Sequence, residues 1–423
     1  MKNHLLAVLG NKEFLYLWLA EIFSQIAFNM VNFILLLIVF KLSNSNAAVS
    51  GMVLSFTIPA ILFGIVAGAY VDRWNKKKVL FFTNISRAIL LILLAVFHAN
   101  IVFIYFLSFS MAVVTQFFIP AETPVIPLVV PKSQLFQANA LFGMGLYGSM
   151  MIAYAISGIF LISFGSTYVF AVLALFFVVA AFFVSLIQNT KNGKGSREVE
   201  LQIEPKLNVI AELKAALKLI AKTKQIYDSL FLLTLSQVIV LLLAAIGPGF
   251  AHQVLGIPVD DFPLTFIAPA TFGMVVGAII IGNFLHNRSR KKMANLGVFL
   301  GGLSIMLLPY GSRVASRSVV QTINSFLPNI LTINILHIMI LLAFILGIAS
   351  ALIFVPSNTL LQEETSDKFR GRVYGTLNSL VGISSILPII IVGELADIFG
   401  VGHVLSGIGL SLLIISFVRS FVK

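Results

Sequence analysis

Gly64-Ile-Val-Ala-Gly68-Ala-Tyr-Val-Asp72-Arg73-Trp-Asn-Lys76-Lys77-Lys78 is an apolar run that ends in an acid, with four cations in the next six positions. Small residues four apart, here Gly64 and Gly68, let two helices approach closely inside a membrane. A cation cluster directly after an apolar span marks the cytoplasmic face. The chain therefore reads as spans and loops rather than as a soluble core.

The rest of the sequence agrees. Of 423 residues, 59% are hydrophobic and only 10% charged, which excludes a water-soluble globule. Apolar runs of about 20 residues, enough to cross a bilayer core, recur throughout. They give twelve spans: Phe14–Phe40, Ala47–Val71, Val79–His98, Ile101–Thr123, Gln137–Phe164, Tyr168–Gln188, Ile226–Ala251, Phe262–His286, Met293–Tyr310, Leu331–Leu361, Gly371–Asp397 and His403–Phe421. With both termini inside, every Lys and Arg falls on the cytoplasmic side except Lys41, Arg313, Arg317 and Arg87, the last within a span. That bias sets the orientation. The formal charge of +12 is confined to loops, so it is a topology signal and not a nucleic-acid footprint. The chain has no cysteine, which excludes disulfides, zinc–cysteine sites and thiol catalysis. Met1–Lys12 shows no small-residue cleavage site, so no cleaved leader is expected.

The expected organisation is a six-helix bundle over 1–188, a cytoplasmic linker over 189–224 and a second six-helix bundle over 225–423. Within the linker, Val209, Leu213, Leu217 and Ile220 share one helical face while Lys214, Lys218 and Lys222 share another. This suits either a helix on the anionic inner leaflet or a plain connector. The halves repeat each other. Phe-Ile-Pro120-Ala-Glu-Thr123 aligns with Phe-Val-Pro356-Ser-Asn-Thr359, Ser24-Gln25 with Ser236-Gln237, and Gly64-x-x-x-Gly68 with Gly273-x-x-x-Gly277. The second cation cluster is Arg288, Arg290, Lys291 and Lys292, without a counterpart to Asp72.

The opening stretch resembles the G-x-x-x-D-R-x-G-R-K loop signature of the major facilitator superfamily, with Asn75 where the second glycine usually stands. The segment Pro120–Leu141 (Pro-Ala-Glu-Thr-Pro-Val-Ile-Pro-Leu-Val-Val-Pro-Lys-Ser-Gln-Leu-Phe-Gln-Ala-Asn-Ala-Leu) is similar to that of bacterial exporters of the macrolide-efflux and enterobactin-exporter type. Leu17-Trp18-Leu19, Ser24-Gln25 and Arg370-Gly-Arg372-Val fit the same group. Val355–Glu363 equally resembles the bacterial lysophospholipid transporter. The resemblance implies an all-α integral membrane fold of twelve helices in two pseudo-symmetric bundles, rocking about a midplane site. It also implies a gate in which Asp72, with Gly68, Arg73, Lys76 and Lys77, meets the start of span eleven at Arg370 and Arg372. Two departures from drug–proton antiporters stand out. Span five reads Met151-Ile-Ala-Tyr-Ala-Ile-Ser-Gly158 in place of a Gly-Pro pair, and Phe28-Asn29 replaces an acid.

An ionisable side chain deep in a bilayer costs about 2.5–3.5 kcal/mol on insertion scales and so needs a reason. Glu21 in span one has Leu233 as its repeat-mate, so the fold itself does not demand an acid there. It is the candidate for proton coupling, the alternative being a carboxylate satisfied near the cytoplasmic end. Arg87 in span three and Glu122 at the end of span four are expected to form a buried charge pair. Asn29, Asn32, Gln116 and Gln237 are the candidates to line a substrate cavity, or else make ordinary helix contacts. Glu394 and Asp397 are expected on a solvated face. P-loop, H-E-x-x-H and G-x-S-x-G motifs are absent, so no enzyme is expected. The reading is a monomeric secondary transporter of the inner cell membrane, with no cofactor or metal. It would export amphipathic small molecules among membrane lipid, with protons as the candidate coupling ion. The alternatives are a lysophospholipid flippase and a non-transporting sensor or assembly partner.

Overall fold

The computed structural model describes residues 8–71, 73–131, 134–188, 223–284, 289–312, 321–322, 325, 335–365 and 367–421. Among them the chain is helical almost throughout. The principal helices are α1 (Lys12–Ser43), α2 (Asn46–Val71), α3 (Lys76–Phe97), α4 (Ile101–Glu122), α5 (135–164) and α6 (166–186). The second half holds α7 (Lys224–Gly249), α8 (Ala268–Phe284), α9 (Arg290–Leu307), α10 (Ile335–Glu364), α11 (Asp367–Phe399) and α12 (Val401–Phe421).

Helices dominate because a bilayer offers backbone groups no water, so each span must satisfy its own N–H and C=O groups. Eleven described stretches are long and apolar enough to cross a membrane. One of these holds both α5 and α6. Leu135–Leu186 has 52 residues, ~78 Å if straight, far more than one ~30 Å crossing. Gly165 divides it with φ +69° and ψ 172°, a conformation open to a residue without Cβ. The described residues therefore hold twelve principal helices where twelve crossings were expected, the fifth and sixth parting at Gly165, between the expected spans. α8 starts later than expected at Phe262, because Pro263–Ile267 forms a wider π-helical turn first. The linker over 189–222 lies outside the described residues.

The chain separates into two compact units, Met1–Leu42 with Leu54–Leu207, and Ser43–Val53 with Asn208–Lys423. The first two turns of α2 thus cluster with the second half of the sequence, while the rest of α2 clusters with the first. In the first unit, Phe14, Leu17, Leu80, Phe118, Ala138, Leu141 and Val184 form one buried core from α1, α3, α4, α5 and α6. In the second, Ile226, Leu230 and Leu233 of α7 pack with Leu361 of α10 and with Val373 and Leu377 of α11.

The repeated glycine pairs behave differently. A Cβ at Gly273 would lie 2.0 Å from the Phe344 carbonyl oxygen, and one at Gly277 would lie 2.9 Å from Ala351 Cβ. Here α8 and α10 touch backbone to backbone. In the first copy a Cβ at Gly64 would meet only Gln116 Oε1 at 3.5 Å, and one at Gly68 nothing within 4 Å. The close approach expected of Gly64 and Gly68 is made instead by their repeat-mates.

Candidate functional site

The first unit holds a charged centre inside its apolar core. Glu21 of α1 and Arg87 of α3 are each only 1% exposed. Residue 21 is nine residues into α1 and residue 87 eleven residues into α3, so both sit ~14–17 Å from the starts of their helices. Arg87 Nη1 donates to Ser24 Oγ (3.0 Å), Ser24 Oγ donates to Asn84 Oδ1 (3.1 Å), and Asn84 Nδ2 donates to the Leu80 carbonyl (2.9 Å). The guanidinium carbon lies 4.1 Å from the ring centroid of Phe118, with Phe177 at 5.4 Å and Phe28 at 5.8 Å. Aromatic faces attract a desolvated cation, so three rings and one hydroxyl hold the arginine.

The centre is not saturated. Among the described residues Arg87 Nε and Nη2 are buried without a hydrogen-bond partner, and the buried Glu21 carboxylate has only the Gln25 side chain beside it as a weak donor. Glu21 and Arg87 feel each other's charge but no hydrogen bond joins them. This corrects the expected Arg87–Glu122 pair, since no ion pair joins those two among the described residues. The reason is depth. Glu122 is the last residue of α4, level with the start of α3, whereas Arg87 lies ~16 Å further along. Glu122 is itself buried.

The remaining candidates scatter. Asn29 is buried, donating to the Gln25 carbonyl (2.8 Å) and accepting from the Tyr154 hydroxyl (3.2 Å). Asn32 is half-buried on the same helix. Gln116 Nε2 donates weakly to the Ala112 carbonyl at 3.4 Å. Gln237 is exposed on α7, in the second unit.

Of the gate candidates, Arg73 is exposed in the turn before α3. Lys76 Nζ donates to the Val71 carbonyl (2.7 Å), and Lys77 Nζ to those of Ser185 (2.9 Å) and Ile187 (2.5 Å). These lysines close the last carbonyls of α2 and α6, where the helix dipole favours cations. Asn75 caps α3 by accepting from Lys78 N (3.1 Å), which explains an asparagine where the signature has glycine. Asp72 lies outside the described residues. Arg370 and Arg372 are on the first turns of α11, their side chains outside them too.

Sequence reasoning missed three polar contacts. Arg419 pairs with Asp228 through two 3.0 Å bonds, and Arg290 pairs with Glu363. Asp397 is not simply solvated, for it accepts four hydrogen bonds from the start of α2. Only the type of residue and its place at a span end hinted at these. Partners far apart in sequence gave no local signal.

Twelve apolar helices in two units, among the described residues, define a multi-pass membrane protein. The family model for the Major Facilitator Superfamily matches residues 17–323, and the chain belongs to that superfamily. It is 26% identical over 407 residues to the uncharacterized MFS-type transporter YfiS of Bacillus subtilis (strain 168), covering 92% of this chain and 88% of the relative. It is 22% identical over 402 residues to macrolide efflux protein A of Streptococcus pyogenes, covering 92% and 91%. Among solved structures, the nucleoside transporter NupG superposes with a TM-score of 0.73 at 13% identity, covering 96% of this chain and 98% of that one. An inward-facing bacterial homologue of the human lysosomal transporter Spinster gives 0.69 at 14% identity, covering 100% and 97%. These structures establish the fold alone.

Proposed function

We propose that this transporter is an exporter of amphipathic small molecules from the inner cell membrane, coupled to an ion gradient through Glu21. The observation that carries the coupling is the burial of two ionisable groups, Glu21 and Arg87, in one apolar core with no hydrogen bond between them. Desolvating an ion costs several kcal/mol even after relaxation. A proton or small cation arriving at Glu21 changes the charge that Arg87 faces, and so the balance that holds α1 against α3. Full-length similarity to macrolide efflux protein A and the apolar, aromatic wall around this centre support an amphipathic cargo. Asn29, Asn32, Gln116 and Gln237 are proposed as cavity-lining polar groups. Asp72, with Gly68, Arg73, Lys76, Lys77, Arg370 and Arg372, is proposed as the cytoplasmic gate, a role resting on the loop signature.

Reconstituted vesicles test the coupling. A pH jump is imposed across the membrane, and release of macrolides, siderophores, dyes and lysophospholipids is followed. Glu21→Gln is expected to bind the active compound, seen as a melting shift, while its flux no longer responds to the jump. Flux that keeps the wild-type pH response removes Glu21 from coupling. Activity with lysophospholipids alone replaces the exporter with a lipid flippase.

A further inference from the structure

α9 and α12 pack against each other in the second unit. At Gly302 and Gly409 the two backbones touch. A Cβ on Gly302 would stand 2.9 Å from Leu412 Cβ, and one on Gly409 would stand 2.7 Å from the Gly302 carbonyl oxygen. Toward the start of α9 the contact turns polar. Asn295 Nδ2 donates to the Ser416 carbonyl (3.1 Å) and to Ser420 Oγ (3.1 Å), and Ser416 Oγ donates to the Asn295 carbonyl (3.2 Å). Beside this bridge lies a groove of about 470 Å³, bounded by Phe299, Leu413, Ile414, Ser416, Phe417 and Ser420. The groove is polar at one end and apolar at the other. Ser420 is one residue from the end of α12, whereas Leu413 and Ile414 lie ~9–11 Å further in. Phe299, Ile414 and Phe417 are all exposed. Lys292, Asn295 and Phe299 stand three and four residues apart, so they share one face of α9. Lys291 and Lys292 are exposed on the first turn of that helix.

We propose that this groove binds one anionic phospholipid of the inner leaflet, with its phosphate at Lys291, Lys292 and Ser420 and an acyl chain along Phe299, Ile414 and Phe417. The proposal rests on the orientation set by the basic loops, which puts the start of α9 and the end of α12 at the cytoplasmic face, and not on what the protein carries. Charge complementarity selects the headgroup. Neither 290–307 nor 401–421 contains an Asp or Glu. Arg290 and Arg419 are matched by Glu363 and Asp228 of other helices, and the two lysines add further positive charge at the mouth of the groove. Basic pockets between membrane helices on the cytoplasmic side suit anionic headgroups. The apolar stretch selects a lipid over a soluble phosphate, because it runs inward from the polar end in the order in which a lipid presents phosphate and chain. A second copy of the chain suits the groove less well. Two copies related by a twofold axis in one membrane would set Lys291 and Lys292 at one depth, facing their own counterparts.

Purified full-length protein in a neutral detergent is titrated with dioleoylphosphatidylglycerol or dioleoylphosphatidylcholine. Bound lipid is counted by native mass spectrometry and melting is followed in parallel, with folding checked by monodisperse elution. Phosphatidylglycerol is expected to stay bound and to raise the melting temperature, as a ligand of the folded state does, and phosphatidylcholine is not. Each cation near an anionic headgroup is worth about fivefold in affinity. Lys291→Gln with Lys292→Gln is therefore expected to weaken phosphatidylglycerol binding at least about tenfold. Lys12→Gln with Lys78→Gln, which removes equal charge from exposed positions at the starts of α1 and α3, is expected to leave it unchanged. Ile414→Trp fills the apolar end and keeps both lysines. It is expected to displace the lipid, and it keeps the test open should the paired lysine variant not fold. Equal binding of the two lipids, equal weakening by both lysine pairs, or wild-type affinity in folded Ile414→Trp overturns the site. Glycerol 3-phosphate binding as tightly as the lipid would make this a soluble-phosphate site and overturns the proposal. So does a dimer that persists without lipid and is lost in Ile414→Trp, which would give the groove to a second copy. None of these readouts uses a cargo, so failure here leaves the export reading standing, and failure of export leaves the lipid site standing.

Discussion

Glu21 and Arg87 share one buried pocket of the first unit, close enough for their charges to interact, yet neither donates to nor accepts from the other. Ser24 and three phenylalanine rings surround the guanidinium instead. Removing one partner of a buried pair costs about 3–5 kcal/mol, because the other is left uncompensated. Arg87→Met is therefore expected to lower stability by that order, and Glu21→Gln in the same chain to restore much of it. A double-mutant cycle in thermal or denaturant unfolding measures the coupling. Additive effects would show that the two charges do not form one centre.

The glycine pairs make a contrasting case. Gly273→Ala drives a methyl into the Phe344 carbonyl, and overpacking of this kind costs about 1–3 kcal/mol or more. Gly68→Ala meets nothing within 4 Å, and alanine in a helix interior is favoured over glycine by roughly 0.5–1 kcal/mol. The melting temperature is expected to fall for the first and to hold or rise for the second. Equal losses at both sites would mean that Gly68 packs as tightly as its repeat-mate.

The span count and the division between α5 and α6 were legible because apolar length and loop charge are one-dimensional signals. Glu21 was legible as an anomaly, an acid opposite Leu233 in the repeat. Its partner was not. Choosing between Glu21 and Glu122 for Arg87 needs the depth of each residue along antiparallel helices, and a boundary error of a few residues blurs that. The Asp397 cap was hidden for a different reason. Its donors are backbone amides of Asn46 and Ala47, which any sequence supplies, some 350 residues away in the chain. The glycine repeat misled because identical spacing does not guarantee identical neighbours.

Asn75 offers a test of local capping. It accepts from Lys78 N at the start of α3, a position where asparagine and glycine both do well. Replacing an N-cap asparagine by alanine costs about 1 kcal/mol, and by glycine only a few tenths. Asn75→Gly is thus expected to leave the melting temperature almost unmoved while Asn75→Ala lowers it. The reverse order would show that Asn75 matters through contacts other than the cap.

Tyr154 separates the cavity role of Asn29 from the coupling role of Glu21. Its hydroxyl donates to Asn29 Oδ1 at 3.2 Å and, among the described residues, makes no hydrogen bond to Glu21 or Arg87. Tyr154→Phe keeps the ring against Phe33 and removes one hydrogen bond, worth about 1 kcal/mol net. The amide of Asn29 is then released from one side while Gln25 still holds the other. If Asn29 faces cargo, the concentration of a transported compound needed for half-maximal flux shifts, and the response of flux to an imposed pH jump does not. Loss of the pH response in Tyr154→Phe would tie the two sites into one network. Unchanged flux by both measures, repeated in Asn29→Ala, would return Asn29 to a purely structural contact between α1 and α5.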